Sequence, residues 1–479
     1  MRIWNTIRSW MSRMITRDAE KEFNVDSIES DIMAAAIKEW SQIYQGKPPW
    51  ANDDIESFNF AKKLCNETAR LTTLDLKINV EGSKRADWLQ DIANRYIVKM
   101  QEDIFEKACA FGHIVAKPNG TGIDYIMPWE YVPTDTDADG NINAAIFFDR
   151  YHDEDGKWYY TRMEYHRFEE SENAEEKIYA ITNRTYRSAG KDGLGLPIDI
   201  SKTKWSWMEE ESYITNIEKP LFAVIKMPIA NNIDINSPLG CSIFSNAEKE
   251  LKNLDIAHTR LGDEIFDSQK VVFLGDMLVT SEARPVKGRI SPNGVVDKAG
   301  KTLPRYVRIL PGSETGNEYH EINPQMQTEE RIKGINHFLN LVGVKCGYST
   351  GQFVLDGRSG HVTATQVEAD DRETIQMIKQ IRDVFQTATD NMLYAANAIA
   401  DIYDITPVGA YETSYAFGDI TYNWEEDRVR HWSYVVQGKY PLWMYYVKFE
   451  GMSEEEAKAV VAEAKSENEP DSTGLFGEE

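Results

Sequence analysis

Three stretches of this chain place residue types at spacings that chemistry can use. Gly347-Tyr348-Ser349-Thr350-Gly351 matches the Gly-x-Ser-x-Gly pattern of a hydrolase nucleophile elbow. That motif needs a strand before the serine and a helix straight after it. Here apolar spacing predicts a helix before the serine and no helix until well after it, so the glycines read as loop residues. Gly294-Val295-Val296-Asp297-Lys298-Ala299-Gly300-Lys301-Thr302 resembles a phosphate-binding loop, but it has one residue too many between its glycines. Pro304 also stands where the first turn of the required helix would run on, so nucleotide binding is not expected there. Asp135-Thr136-Asp137-Ala138-Asp139-Gly140 matches the first half of a calcium loop. Its closing position, where a bidentate glutamate belongs, is Ile146, and a hairpin turn is the better reading. His258 sits on an apolar helical stripe and reads as a packed histidine, with Asp255 as its candidate hydrogen-bond partner. Acidic runs such as Asp153-Glu154-Asp155 and Glu209-Glu210-Glu211 select no catalytic pair. No His-Glu-x-x-His or paired-cysteine arrangement occurs, and no cofactor or enzymatic activity is expected.

The totals constrain the partners. The chain has 479 residues, which as a soft prior suggests roughly three domains. Lys and Arg number 53 against 78 Asp and Glu, a net charge of −25, so the chain is a poor general binder of phosphate backbone. Cys65, Cys109, Cys241 and Cys346 have no metal-site or disulfide spacing and suit a reducing compartment. No apolar run is long enough to span a membrane. The segment Met1 to Arg17 is amphipathic, with Trp4, Ile7, Met11 and Met14 on one side, and reads as a helix docked on protein.

Helices are expected near Ser27–Gln45, Ile55–Leu71 and Ser83–Phe111, with Gly112 as a stop and a short strand at Leu74–Val80. Residues 113 to 233 are β-rich, with strands at His113–Lys117, Ala145–Tyr151, Trp158–Glu164, Lys177–Thr182 and Leu221–Lys226. Pro238-Leu239-Gly240 marks a break, and a helix over Ile243 to Asp267 carries a narrow stripe of Phe244, Ala247, Leu251, Leu254, His258, Leu261 and Ile265. Short strands follow at Val271–Leu274, Arg289–Ser291 and Arg305–Leu310, then a helix over Thr328 to Val344. Thr363 with Gln366, and Thr365 with Glu368, fit capping boxes that open a long helix. Its apolar residues recur from Ile375 through Ile378, Ile381, Phe385, Ala388, Met392, Ala396 and Ile399 to Ile402. Phe417–Trp424 is strand-like and is expected to return to the β-rich module; short helices, one opened by Ser453 and Glu456, follow.

A glycine-punctuated loop that ends in Thr363-Ala364-Thr365-Gln366-Val367 and feeds a long helix resembles the tunnel loop and following helix of tailed-bacteriophage portal proteins, the group found in phages of Gram-positive hosts. The order of the remaining elements resembles that family too, over most of the chain. The resemblance implies an α+β portal fold: N-terminal helices and β-rich wing over 1–240, first stem helix 241–268, clip 269–327 and second stem helix 328–346. Tunnel loop 347–362, long helix with return strand 363–424, crown 425–466 and a disordered acidic tail 467–479 complete it. It also implies a homo-oligomeric ring, twelve subunits in that family's virions, at one capsid vertex, through which a terminase pumps double-stranded DNA. Head–tail adaptor, major capsid and scaffold proteins are the other implied partners, without a membrane. In that frame Gly351, Gly357, Arg358, Ser359, Gly360 and His361 form the loop that meets DNA. Residues 269 to 328 carry a small basic surplus within an acidic chain, which makes Lys287, Arg289, Lys298, Lys301 and Arg305 a candidate docking face. The competing readings are a capsid or baseplate protein without a channel, and a nucleotide-driven motor subunit.

Overall fold

The computed structural model describes residues 16–153, 155–170, 177–190, 193–268, 271–275, 307–310, 319–323, 325–355, 372–418, 424–437, 439–450 and 452–468. The fold is α+β and divides into two compact units, the first holding every element before residue 418 and the second the three C-terminal helices.

After a helical stretch over 16–23, the first unit continues with α1 (Asp31–Tyr44) and α2 (Phe60–Thr72). Ser30 caps α1 by accepting the Met33 amide, as its short hydroxyl side chain favours. The second helix starts later than its apolar pattern suggests, because the chain before it is committed elsewhere. The Glu56 amide donates to Thr259 Oγ1 and the Phe58 amide to Asp255 Oδ1, both at 2.9 Å, on a later helix. Strand β1 (Lys77–Glu81) leads into α3 (Lys84–Lys99), a π-helical turn at Met100–Ile104, and α4 (Phe105–Phe111). One continuous helix is expected here, and the interruption has a physical reason. The stripe Trp88, Ile92, Tyr96, Met100, Ile104, Ala108 advances by four at every step. On a 3.6-residue helix that drifts by about 40° per step. One wider turn resets the drift and keeps Met100, Ile104 and Ala108 buried. The helix stops at Gly112, whose φ of +83° is left-handed; a Cβ there would lie 2.3 Å from the Gly240 carbonyl oxygen. Gly240 is thus the other half of a close backbone approach.

Two sheets make the β-rich part. Strands β2 (His113–Pro118) and β3 (Ile123–Ile126) form a hairpin, with β10 (Ala223–Lys226) on the far side of β2. A six-stranded antiparallel sheet holds β4 (Tyr131–Thr136), β5 (Ile142–His152), β6 (Tyr159–Glu170), β7 (Lys177–Ser188) and β8 (Leu196–Pro197) in that order, and β9 (Glu211–Ile214) pairs with β7. The Asp135–Gly140 stretch is the β4–β5 turn. Asp137 accepts the Asp139 amide at 3.0 Å and the Asn141 amide at 2.8 Å, which spends its carboxylate inside the turn.

Helix α5 (Glu248–Asp267) and helix α6 (Thr328–Lys345) flank a three-stranded sheet of β11 (Val271–Gly275), β12 (Val307–Leu310) and β13 (Tyr319–Ile322). In that sheet β11 is central, parallel to β12 and antiparallel to β13. β13 is not expected from the sequence, and the expected strand at Arg289–Ser291 lies outside the described residues. Helix α7 (Arg372–Ile402) runs 31 residues, roughly 46 Å. Its expected face is buried: Ile378, Ile381, Phe385, Ala388, Met392 and Ala396 all pack inward. Phe385 lies 5.8 Å from the Tyr96 ring and 5.2 Å from Phe105, which makes α7 the spine of the N-terminal helices. A strand β14 (Glu412–Ala416) follows it and pairs antiparallel with β1; of the expected strand Phe417–Trp424, residues 419–423 lie outside the described residues.

The second unit holds α8 (Trp424–Val436), α9 (Leu442–Phe449) and α10 (Glu454–Asn468). Arg428 Nη2 meets Glu450 at 2.6 Å, and Ser453 with Glu456 forms the expected capping box before α10. The amphipathic N-terminus before residue 16 and the acidic tail after 468 lie outside the described residues.

Candidate functional site

Helices α5 and α6 form an antiparallel pair tied at both ends. Near the β11–β13 sheet, Glu264 on α5 accepts the Gln327 amide at 2.5 Å and Arg331 Nε at 2.6 Å. Gln327 is the N-cap of α6 and its side chain makes no cap bond, so Glu264 puts a carboxylate at a helix N-terminus that lacks its own. Those two donors hold the Glu264 pKa below the usual carboxylate range. At the other end Lys345 Nζ meets Glu250 at 2.7 Å. Burial grades along the pair. Phe244, Ala247, Leu251 and Leu254 at the base of α5 are buried, whereas Ile265 near the sheet is 50% exposed. On α6, Ile335, Leu339 and Val342 are buried while Leu341 and Val344 on its outer side are not. The apolar stripe expected along α5 therefore outruns the core of one chain.

His258 lies within that stripe, its ring 5.0 Å from Phe58. Asp255 is not its partner: the carboxylate oxygens take Trp50 Nε1 at 2.8 Å and the Phe58 amide at 2.9 Å. The apolar environment and the claims of two better-placed donors explain the difference.

At the end of α6 the backbone turns in a Schellman motif. The Tyr348 amide donates to the Gly343 carbonyl at 2.9 Å and the Gly347 amide to Val344 at 3.0 Å, with Gly347 at a φ of +87°. The residues that follow are pinned. Tyr348 is fully buried, its hydroxyl 2.6 Å from Thr68 Oγ1 on α2. Ser349 and Thr374 exchange hydrogen bonds: the Ser349 amide donates to Thr374 Oγ1 at 2.9 Å and the Thr374 amide to Ser349 Oγ at 3.2 Å. Thr374 belongs to the first turn of α7, so Ser349 supplies an acceptor to a helix start. Ser349 is buried, follows a helix rather than a strand, and has no basic partner among the described residues, which is not the context of a nucleophile elbow. Asn340 Oδ1 accepts the Gly351 amide at 2.7 Å, and Asn336, one turn back, accepts the Leu355 amide at 2.8 Å. Phe353 packs against Phe60 and Tyr348, as an anchor should, but Leu355 is held by its backbone alone and its side chain is half-exposed.

Gly351 is therefore a fixed turn residue, at a φ of +81° with its amide bound. Gly357, Arg358, Ser359, Gly360 and His361 lie outside the described residues, as do Lys287, Arg289, Lys298, Lys301, Arg305 and the Gly294–Thr302 stretch. What the structure adds is the anchoring set Asn336, Asn340, Tyr348, Ser349 and Thr374. The asparagines spaced by four just before a helix stop are the sequence signal for it; the partnership of Ser349 with Thr374 leaves none.

No protein-family model matches the chain, and no curated protein matches it. Among the described residues, no group of three or more metal-ligating side chains converges, and no helix is long and apolar enough to cross a membrane.

Proposed function

We propose that the chain is a portal-type subunit of a tailed bacteriophage, assembled as a ring at one capsid vertex. One observation carries the reading: an antiparallel helix pair bears a small sheet at one end, and its return helix passes through a capped, pinned turn directly towards a long spine helix. In this reading α5 and α6 are the stem, the β11–β13 sheet the clip, and the six-stranded sheet the wing. The apolar stripe left bare towards the clip is then covered by neighbouring subunits.

Mechanically, the pinned turn fixes both stem and spine while the segment after Leu355 reaches the channel. Arg358 and His361 are its cations for phosphate. An acidic chain, net −25, keeps DNA sliding, since many cation contacts would hold it through counterion release. A separate terminase supplies the work, and the head–tail adaptor docks on the clip. The described residues favour neither a motor nor a channel-free capsid protein over this reading. Native mass spectrometry of the purified chain tests it: a large closed oligomer is expected, and a sharply defined monomer at every salt and concentration tried would overturn it.

A further inference from the structure

Outside the helix pair, apolar side chains also stand bare where α7 ends. The turn after it exposes Ile402, Tyr403, Ile405 and Val408. Trp207, between β8 and β9, is 65% exposed, and its ring lies 6.4 Å from that of Tyr403, itself 55% exposed. The backbone that presents them is bonded in place. The Ile405 amide donates to the Ala400 carbonyl at 3.0 Å, and Arg85 holds both the carbonyl and the hydroxyl of Thr406. An exposed cluster of aromatic and branched side chains on a fixed backbone marks a docking surface.

The charges around the patch select its partner. Glu209 and Glu210 follow Trp207 closely in the chain, Asp404 stands between Tyr403 and Ile405, and all three are exposed. Two further exposed charges are cancelled: Asp401 pairs with Arg85 at 2.7 Å, and Lys204 lies 3.5 Å from Asp149. The opposing cations are Arg95, which donates to the Thr121 carbonyl beside Gly120, and one buried surplus where Lys117 and Arg162 share Glu164. The balance is negative, so the fitting occupant is apolar and basic. Residues 1–15 have that composition. They hold Trp4, Ile7, Trp10, Met11 and Met14 with Arg2, Arg8 and Arg13, and no acid precedes Asp18. The described chain starts at Thr16, in a helical stretch whose Ala19 is buried on the six-stranded sheet. Fifteen residues cover about 22 Å as a helix and about 50 Å extended, against a radius of gyration of about 21 Å for a unit of this size.

We propose that residues 1–15 dock on this patch, with their apolar side chains against Trp207 and Tyr403 and their arginines towards Glu209, Glu210 and Asp404. Burial of the two exposed rings is the main gain, and the charges set the orientation. The docked segment belongs either to the same chain or to a second copy. The proposal is independent of the portal reading.

Photocrosslinking of the full chain carrying Trp4→p-benzoylphenylalanine, mapped by mass spectrometry of the digest, tests it. Crosslinks are expected within 205–209 and 402–408, at least about fivefold above those from the same probe at Ile235, an 83% exposed side chain of another loop. Trp207→Ser should lower that yield at least about fivefold with an unchanged circular dichroism spectrum. Replacing Glu209, Glu210 and Asp404 by lysine should lower it too, as should added salt. A mixture of isotopically light and heavy chains assigns the source: crosslinks of mixed mass come from a second copy, crosslinks of uniform mass from the same chain. Crosslinks that map to the bare face of α5 and α6, or to any other segment, overturn the proposal. So does binding of the probe to anionic lipid vesicles with no crosslink to the patch, or a yield unchanged by Trp207→Ser. If that variant does not fold, the crosslink map of the Trp4 probe against the Ile235 probe decides.

Discussion

Arg85 shows how much a single side chain holds in this chain. It is buried on α3, and its guanidinium makes four hydrogen bonds and an ion pair. Nε meets Thr406 Oγ1 at 2.7 Å, Nη1 the Asn397 carbonyl at 3.0 Å and its side-chain oxygen at 2.9 Å, and Nη2 the Thr406 carbonyl at 2.6 Å and Asp401 at 2.7 Å. The fork ties the start of α3 to the end of α7. Lysine keeps the charge but cannot reach five acceptors, so Arg85→Lys should destabilise the first unit by about 2–4 kcal/mol, read as a lower urea midpoint with unchanged slope. Titration adds a second residue-scale expectation. His113 is fully buried, and burial pushes its pKa down to about 4, with the Gly240 backbone holding the fall back and Lys226 adding to it. The Glu164 carboxyl is held well below its usual range; burial opposes this, but Lys117 and Arg162 outweigh it. Both groups bind fewer protons folded than unfolded, so both stabilise at neutral pH and lose that stability on acidification. For His113 the loss runs from about pH 6.5 down to about 4 and amounts to roughly 3 kcal/mol. Urea midpoints across that window should fall for the parent chain and fall less for His113→Gln. A flat profile would contradict the assignment.

At the scale of elements, periodicity is a good guide where one face packs on one partner. The α7 stripe and the α6 span are legible for that reason, as are Gly112 and the Ser453–Glu456 box, which rest on local backbone chemistry. What fails is non-local. The start of α2 is set by Asp255 and Thr259 on α5, and β14 by its pairing with β1. The buried Glu164 cluster joins three strands, β2, β6 and β7, whose charged residues look ordinary one at a time. The pinned turn also sharpens the loop experiment. Because Gly347 to Leu355 is anchored by α6 and α7, deleting Gly357–Gly360 should leave the unfolding midpoint and the ring unchanged while cutting DNA packaging or retention. A shortened protein that packages and holds a full genome would make the segment a connector and remove Arg358 and His361 from DNA contact.

For the molecule as a whole, the helix pair, its terminal sheet and the spine helix have one mechanical logic if many copies stand side by side. A spine of roughly 46 Å buries one face from Ile378 to Ile399 inside one subunit, whereas the helix pair leaves Ile265, Leu341 and Val344 without cover. Closed symmetry supplies that cover without leaving an open end. Electron micrographs of the negatively stained chain therefore test the central claim most directly. The account predicts rings of uniform diameter with a stain-filled central hole. Discrete single subunits, open filaments, or closed particles without a hole would contradict it.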